Sequence, residues 1–113
     1  MSNGDSTFDV HLQELRRGTV VLGCLRLLLH APGYGYHLLE QLQEHGLAVD
    51  GNTLYPLLRR LEKQGFLTSE WQAADPRPRK FYRTSRAGEE LAEALEADWR
   101  RLTAAVDSLT EES

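Results

Sequence analysis

Residues that catalysis and metal binding depend on are scarce in this sequence. Its 113 residues include one cysteine, Cys24, so an intrachain disulfide and a cysteine metal cluster are excluded. Cys24 lies in an apolar segment, which favours a small buried hydrophobe over a reactive thiol. The four histidines lack metal-site spacing, and the chain shows no nucleophile–base pair, carboxylate pair or phosphate-binding loop. We therefore expect no metal, no cofactor and no enzymatic activity.

Long hydrophobic runs are also lacking. The longest apolar stretch, residues 20–29, is interrupted by Gly23 and Arg26 and is too short to cross a bilayer. The first ten residues are polar and acidic, unlike a signal peptide. We expect a cytoplasmic protein with no membrane partner, folded as one small domain given its length and 41% hydrophobic content.

Positive charge is scarce in the chain as a whole but concentrated in one segment. The formal net charge is −4. Residues 51–88, however, contain eight basic and three acidic side chains, a net charge of +5, whereas the rest of the chain has five basic and fourteen acidic ones, a net charge of −9. A basic stripe on an acidic body binds phosphates where it is presented and repels them elsewhere. The average charge therefore does not exclude a nucleic-acid partner.

Two helices are predicted before the basic segment. Residues 1–9 are polar and aperiodic, and we expect a disordered N-terminal arm there. A first helix over about residues 10–30 has a leucine-rich face, although Gly18 makes a break near that position unsurprising. Ala31-Pro-Gly33 ends this helix, because proline cannot continue it and glycine turns the chain. A second helix is expected to begin at Tyr34 or Gly35 and to end at about His45.

A third helix opens the basic segment and is strongly amphipathic. Its apolar stripe of about 100° is formed by Leu54, Leu57, Leu58 and Leu61. The opposite side carries Asn52, Pro56, Arg59 and Lys63. Asp50 and Thr53 are alternative N-terminal caps. Pro56 favours Thr53 as the cap, because Pro56 then lies in the first turn, where a backbone N–H has no partner within the helix and its absence costs nothing. We therefore expect the helix to start irregularly or to start only at residues 52–53.

After the third helix the period changes from helical to alternating. Residues 66–72 and 79–84 alternate as strands around a polar, proline-rich connection, which predicts a β-hairpin. The basic residues of this hairpin are Arg77, Arg79, Lys80 and Arg83.

A last helix over about residues 86–109 is expected to begin at a Ser85 cap. Its apolar residues repeat at spacings of 4, 3, 4 and 3, which is a heptad seam formed by Leu95, Trp99, Leu102, Val106 and Leu109. The seam is short for an independent coiled coil. We therefore expect it to pack in part on its own domain and in part on a partner subunit.

Three helices followed by a two-stranded hairpin are the order of a winged helix-turn-helix. We expect a mainly α fold with a small β-hairpin, with residues 10–84 as the winged helix-turn-helix domain and residues 85–110 as a dimerisation helix. In such a domain the second helix supports the third, which enters the DNA major groove, and the hairpin reaches the flanking backbone. Basic residues occur on these two presenting elements and are sparse in the supporting helix, which favours DNA binding.

Three motifs in this order resemble the PadR family of bacterial transcriptional regulators. They are Tyr34-Gly-Tyr36, Gly51-Asn-Thr-Leu-Tyr-Pro-Leu-Leu-Arg-Arg-Leu-Glu62 and Arg77-Pro-Arg-Lys-Phe-Tyr-Arg83, and Arg86-Ala-Gly88 fits the same pattern. The single terminal helix is similar to the small subfamily. The resemblance implies a homodimer, a pseudo-palindromic DNA operator and, usually, repression. Pro76 and Pro78 stand where relatives often have glycine, so a stiffer hairpin tip is expected.

The resemblance also implies roles for individual residues. Thr53 and Tyr55 lie at the start of the recognition helix, where relatives contact phosphate or base edges, and Tyr36 offers a phosphate contact from the support helix. The groove-facing side holds Arg59 and Lys63. The wing contacts to the DNA backbone are Arg77, Arg79 and Lys80. We expect Asn52 and Arg59 to read bases, while the phosphate contacts set affinity.

Other interpretations of these residues stay open. Tyr55 borders the leucine stripe, so packing of its ring, with the hydroxyl in water, is as strongly expected as a contact with DNA. Lys80 and Arg83 also suit the exposed edge of a strand, and Arg60 with Glu62 suits an ordinary charged surface. The rival function is a winged-helix module that binds protein through the same basic face.

Trp99 also allows two interpretations. An aromatic residue in the middle of the terminal seam is most simply a dimer anchor, and we favour that role. In some small relatives, however, a tryptophan of this helix lines a cavity between subunits and stacks on flat apolar effectors. The alternative is therefore a small aromatic ligand bound at Trp99.

Overall fold

Four helices and three short strands make up the described part of the chain. The structure is a computed structural model that describes residues 3–73 and 77–111, with side chains from Ser6 onward. In chain order the elements are α1 (Asn3–His30), β1 (Gly33–Tyr34), α2 (Gly35–Glu44), α3 (Gly51–Lys63), β2 (Leu67–Gln72), β3 (Arg79–Thr84) and α4 (Arg86–Glu111). This order confirms the predicted mainly α fold with a wing. Pro76, one of two prolines expected to stiffen the wing tip, lies outside the described residues.

The first helix begins earlier than predicted. Because α1 starts at Asn3, the disordered arm expected over residues 1–9 is wrong from residue 3 onward, and residues 1 and 2 lie outside the described residues. Phe8 precedes Leu12 by four residues and Leu15 by seven, a helical spacing hidden in a polar composition. The helix also passes through Gly18 without the break considered there.

The core is built mainly from leucines of the first three helices. Its largest fully buried side chains are Leu25, Leu28, Leu38, Leu42, Leu54, Leu58 and Leu67. Tyr82 of β3 and Ala92 of α4 close the same cluster. Cys24 is fully buried among them, and this burial raises the pKa of its thiol to about 12. The thiol is therefore protonated and inaccessible at neutral pH, which confirms that it packs as a small hydrophobe.

Asp50 caps α3, so the start expected at residues 52–53 is wrong. One oxygen of the Asp50 carboxylate accepts a hydrogen bond of 2.9 Å from the backbone N–H of Thr53. The helix begins at Gly51, which places Pro56 in the second turn. Pro56 has no N–H for the carbonyl of Asn52, but Asn52 is exposed, so water can solvate that carbonyl. The proline defect is therefore tolerated, and the cap sets the start of the helix.

The sheet has three strands rather than the predicted two. β3 is its central strand and pairs antiparallel with β2 along its whole length. On its other side β3 pairs with β1, Gly33 opposite Tyr82 and Tyr34 opposite Phe81. β1 covers this edge of β3 only opposite Phe81 and Tyr82, so the interpretation of Lys80 and Arg83 as residues that protect an exposed strand edge stays open.

The junction after the wing fixes the start of α4 against Phe66, in the turn between α3 and β2. Ser85 caps α4 as predicted, since its hydroxyl oxygen accepts the N–H of Gly88 at 3.0 Å. Gly88 lies so close to the carbonyl oxygen of Phe66 that any side chain at this position would overlap it. The buried hydroxyl of Thr84 donates to the carbonyl of Leu25 at 2.7 Å. These contacts anchor the base of the wing between α1 and α4.

Only the first part of α4 packs on its own domain. Arg26 of α1 forms an ion pair of 2.5 Å with Glu96, next to the buried Ala92. Leu95 packs against the core, as expected for part of the seam. The rest of the seam is 49–68% exposed, and its members are Trp99, Leu102, Val106 and Leu109.

Candidate nucleic-acid interface

α3 presents a polar and basic face opposite its leucines. The four leucines of the predicted stripe are buried. The exposed residues of the helix include Asn52, Thr53, Pro56, Arg59 and Lys63. Its polar first turn and its two outer cations therefore share the exposed side, which is the arrangement of a helix that enters a DNA groove.

The first turns of α2 and α3 and the wing surround an open depression. Five predicted site residues line it together, namely Tyr36, Tyr55, Arg77, Arg79 and Lys80. The other four lie on α3 outside the depression, namely Asn52, Thr53, Arg59 and Lys63. None of the described residues that line the depression is acidic. Hydroxyls and cations thus face the same open space, which suits contact with phosphates.

Tyr55 is held between the first turns of α2 and α3. A side chain at Gly35 would overlap one edge of its ring, and a Cβ atom at Gly51 would lie 2.9 Å from Cε2 on the other edge. The ring is thus packed, although the residue remains 38% exposed. Packing was one of the two interpretations of Tyr55, and contact between its hydroxyl and DNA stays a prediction.

Tyr34 is a residue of this surface that sequence reasoning missed. The guanidinium carbon of Arg79 lies 4.4 Å from the centroid of the Tyr34 ring, a cation–π distance. Phe81 packs edge-on against the same ring, with the centroids 5.4 Å apart. Tyr34 therefore orients Arg79 on the wing. The pairing of β1 with β3 creates this contact, so no local pattern in the sequence indicates it.

Trp71 is a second residue that was not assigned to the site. It lies opposite Lys80 in the register of β2 and β3, and it lines the depression with Tyr36 and Tyr55. Alternation places Trp71 on the same side of β2 as the buried Leu67, yet Trp71 is 69% exposed. An exposed indole beside arginines has an apolar face for deoxyribose and an N–H for a phosphate oxygen.

Lys80 is the predicted wing residue whose charge is already paired. Its ammonium group lies 3.0 Å from one carboxylate oxygen of Glu62 on α3. The hydroxyl of Ser69 on β2 donates to the other oxygen. These contacts hold the pKa of Glu62 below its ordinary value, through the Ser69 hydrogen bond first and Lys80 second, and the Glu62 carboxylate raises the pKa of Lys80. Glu62 therefore joins α3 to both strands of the wing and is not the ordinary surface charge that was one interpretation of the sequence.

Other kinds of site are not supported by the described residues. They contain no group of three or more side chains that could hold a metal ion. No described helix is long and apolar enough to cross a membrane.

A supporting helix, an exposed basic helix and an arginine-bearing wing define a winged helix-turn-helix protein. The chain belongs to the PadR-like family of transcriptional regulators, whose family model matches residues 24–94. The resemblance seen in its motifs is thereby confirmed. Proteins of this family are transcriptional regulators and not enzymes, which agrees with the expectation from the sequence.

Individual relatives agree with this assignment. Transcriptional regulator Rv3488 of Mycobacterium tuberculosis is 39% identical over 77 residues, which are 68% of this chain and 72% of the relative. The crystal structure of a PadR family transcriptional regulator from Eggerthella lenta matches with a TM-score of 0.91 and 43% identity, covering 98% of each chain. A PadR-like transcription factor from Bacteroides fragilis matches with a TM-score of 0.73 and 33% identity, over 89% of this chain and 98% of that one.

Proposed function

We propose that this transcriptional regulator is a homodimer that binds a pseudo-palindromic DNA operator and represses transcription. The observation that carries the proposal is the exposed basic face of α3 beside a depression lined by tyrosines and arginines. α3 enters the major groove, and the wing contacts the flanking backbone. Acting on DNA in a bacterium, the protein works in the cytoplasm.

The proposed contacts divide into those that read bases and those that bind phosphates. Asn52 and Arg59 are exposed on α3, where an amide suits adenine and a guanidinium suits guanine. The proposed phosphate contacts are Tyr36, Thr53, Tyr55, Lys63, Arg77 and Arg79. Phosphate contacts bind every sequence equally, so they set affinity and its dependence on salt rather than specificity.

A duplex selected from a random library by the wild-type protein tests this proposal. The triple variant Arg59→Ala, Arg77→Ala, Arg79→Ala is expected to bind it more than ~100-fold more weakly, with a salt dependence lower by about one unit for each lost phosphate contact. The matched control removes three exposed arginines of α1 and α4, Arg17, Arg100 and Arg101, and is expected to bind almost normally. Equal affinities of the two variants would contradict DNA binding by α3 and the wing.

The same experiment separates DNA binding from the rival protein-interaction module. A module that uses the basic face only for protein would select no duplex from the library.

A second copy of the chain is proposed to cover the exposed part of the seam. From residue 101 to residue 111 every described side chain of α4 is exposed, including three apolar seam residues. Phe8, Leu12 and Leu15 of α1 are exposed as well, at 46–74%. Exposed apolar residues at helical spacing on two helices are typical of an interface between subunits, and symmetric dimers are the commonest solution.

An aromatic effector at Trp99 is proposed as a regulator of the dimer. Trp99 is 49% exposed on the part of α4 assigned to the interface, so its ring is accessible for stacking in the single chain. Because the chain has two tryptophans, we suggest titrating flat aromatic compounds in a Trp71→Phe variant, where Trp99 alone emits. Quenching that saturates would support the site. Unchanged ligand affinity of a Trp99→Ala dimer, measured by calorimetry, would refute it.

A further inference from the structure

We propose that Glu62 and Lys80 form a positioning pair that sets the angle of the wing against α3, so that Lys80 binds no phosphate. This inference rests on the proposed DNA-binding function and changes the role of one predicted contact. It also assigns a role to Glu62 and Ser69, which the proposed function leaves without one.

The carboxylate of Glu62 connects α3 with both long strands of the wing. Its Oε1 lies 3.0 Å from Nζ of Lys80 on β3. Its Oε2 accepts the hydrogen bond from the Ser69 hydroxyl on β2. One side chain of the recognition helix therefore holds the two strands at once, each through a different oxygen. A change in the angle between α3 and the wing would break at least one of these contacts.

Lys80 points to the body of the domain rather than away from it. In the antiparallel register Lys80 lies opposite Trp71, and two residues further on Tyr82 lies opposite Ser69. Alternation places Lys80 on the same face as Tyr82, which is buried. Its ammonium group lies 5.2 Å from the centroid of the Tyr82 ring. Lys80 also lines the open depression, but its ammonium group is held there by the Glu62 carboxylate and lies near the Tyr82 ring, so a phosphate would have to compete with Glu62 for it.

The other two wing residues predicted to contact phosphate, Arg77 and Arg79, differ from Lys80 in this respect. Arg77 is exposed, and Arg79 lies over the Tyr34 ring and forms no ion pair with a carboxylate in the part of the chain that the structure describes. Lys80 and Glu62 have side chains that are 29% and 31% exposed, so their pair is shielded more than a fully solvated one. Moving Lys80 to a phosphate would leave Glu62 as an unpaired negative charge next to the DNA backbone.

Substitution of Glu62 gives opposite results for the two roles of Lys80. Glu62→Gln keeps an oxygen that can accept the Ser69 hydrogen bond but removes the charge that holds Lys80. If the two residues are a positioning pair, this variant is expected to bind the operator more weakly, by a factor of about 3 or more. This factor corresponds to roughly 0.7 kcal/mol of binding free energy, lost because the wing is no longer held at its angle. If Lys80 contacts phosphate, removing a nearby negative charge frees it, and the operator would bind more tightly. Tighter binding by Glu62→Gln would therefore overturn the proposal.

The salt dependence of Lys80 variants provides a second criterion. Lys80→Met is expected to weaken operator binding while leaving the salt slope unchanged, and Lys80→Arg is expected to restore the affinity. Arg77→Met, the matched control on the wing, should lower the slope by about one unit. A decrease of about one unit for Lys80→Met would show that Lys80 binds phosphate and would overturn the positioning role.

A measurement without DNA keeps this inference separate from the proposed function. Amide hydrogen exchange in residues 70–72 and 79–80 is expected to speed up in both Glu62→Gln and Lys80→Met, whereas the amides of α1 should exchange as in the wild type. Unchanged exchange in the wing would overturn the positioning pair even if the protein binds DNA. Faster exchange in a protein that binds no duplex would support the pair and refute the proposed function.

Discussion

At the scale of single residues, glycines decide where Tyr55 can lie. Its ring fills the space that side chains at Gly35 and Gly51 would occupy, at the first turns of two different helices. The helix-turn-helix angle and the position of the Tyr55 ring are therefore fixed by the same contact. Gly18 differs from both, because a Cβ atom there would meet nothing within 4 Å.

We predict that Gly35→Ala destabilises the protein. Its methyl group would overlap the Tyr55 ring, and overpacking of this kind costs about 1–3 kcal/mol. Gly18→Ala is the control, since alanine in the middle of α1 is expected to stabilise by about 0.5–1 kcal/mol. Urea unfolding followed by circular dichroism measures both. Equal midpoints for the two variants would show that the ring moves aside without loss.

Cys24 is predicted to resist alkylation in the folded protein. Its thiol is fully buried with a pKa of about 12, above the ~8.5 of an exposed thiol. Because the folded state holds this proton more tightly, its contribution to stability is complete below pH ~8.5 and is lost as the pH rises toward 12. Iodoacetamide at pH 8.5 should label the urea-unfolded chain at least ~100-fold faster than the native protein. Equal rates would contradict the burial of Cys24.

At the scale of elements, a cap and a proline compete for the start of α3. The Asp50 cap is the one that determines it, although Pro56 then lies within the helix. We predict that Asp50→Ala lowers the free energy of unfolding by about 1 kcal/mol, within a range of 0.5–2 kcal/mol for N-caps. Asp50→Asn retains an acceptor for the Thr53 N–H, so it should unfold at nearly the wild-type urea concentration. A similar loss in both variants would exclude the cap as the cause.

Long amphipathic elements were predictable from the sequence, whereas short elements formed by pairing were not. The leucine stripe of α3, the alternation of β2 and the Ser85 cap are local patterns; the structure reproduces the first and the last, and it reproduces the alternation of burial over residues 67–70. β1 has two residues, too few to show any period, and exists because β3 pairs with it. The N-terminal part of α1 was missed because polar composition outweighed three apolar residues at helical spacing.

In the candidate site, too, the residues on one helix face were predictable from the sequence, whereas contacts between distant elements were not. Residues exposed on α3 were assigned from their position on one helix face, which needs no knowledge of the rest of the fold. The contact of Arg79 with Tyr34 and that of Lys80 with Glu62 join elements far apart in the sequence. A list of basic residues in the wing therefore predicts where charge lies but not which charges are already paired.

At the scale of the whole molecule, the second half of α4 does not pack on its own domain and exposes an apolar seam. We predict that Leu102→Glu with Val106→Glu dissociates the proposed dimer, because unpaired charges buried in an interface cost several kcal/mol, or more than ~100-fold in the dissociation constant. Sedimentation velocity measures this change. The matched control places two glutamates on the outer side of the same helix, at Ala97 and Ala104, both exposed. Dissociation by both pairs would point to a general effect of charge on α4.

The central position of β3 has a consequence for synthesis of the protein. Gly33 and Tyr34 precede α2 and α3, yet their strand partners are Tyr82 and Phe81, which follow both helices. Closing so long a loop is entropically unfavourable until the intervening helices have packed, so the sheet is expected to form late in folding. Since the chain is made from its N-terminus, α3 leaves the ribosome before the strand that carries Arg79. An incomplete chain therefore has the proposed recognition helix but never the finished surface that is proposed to bind DNA.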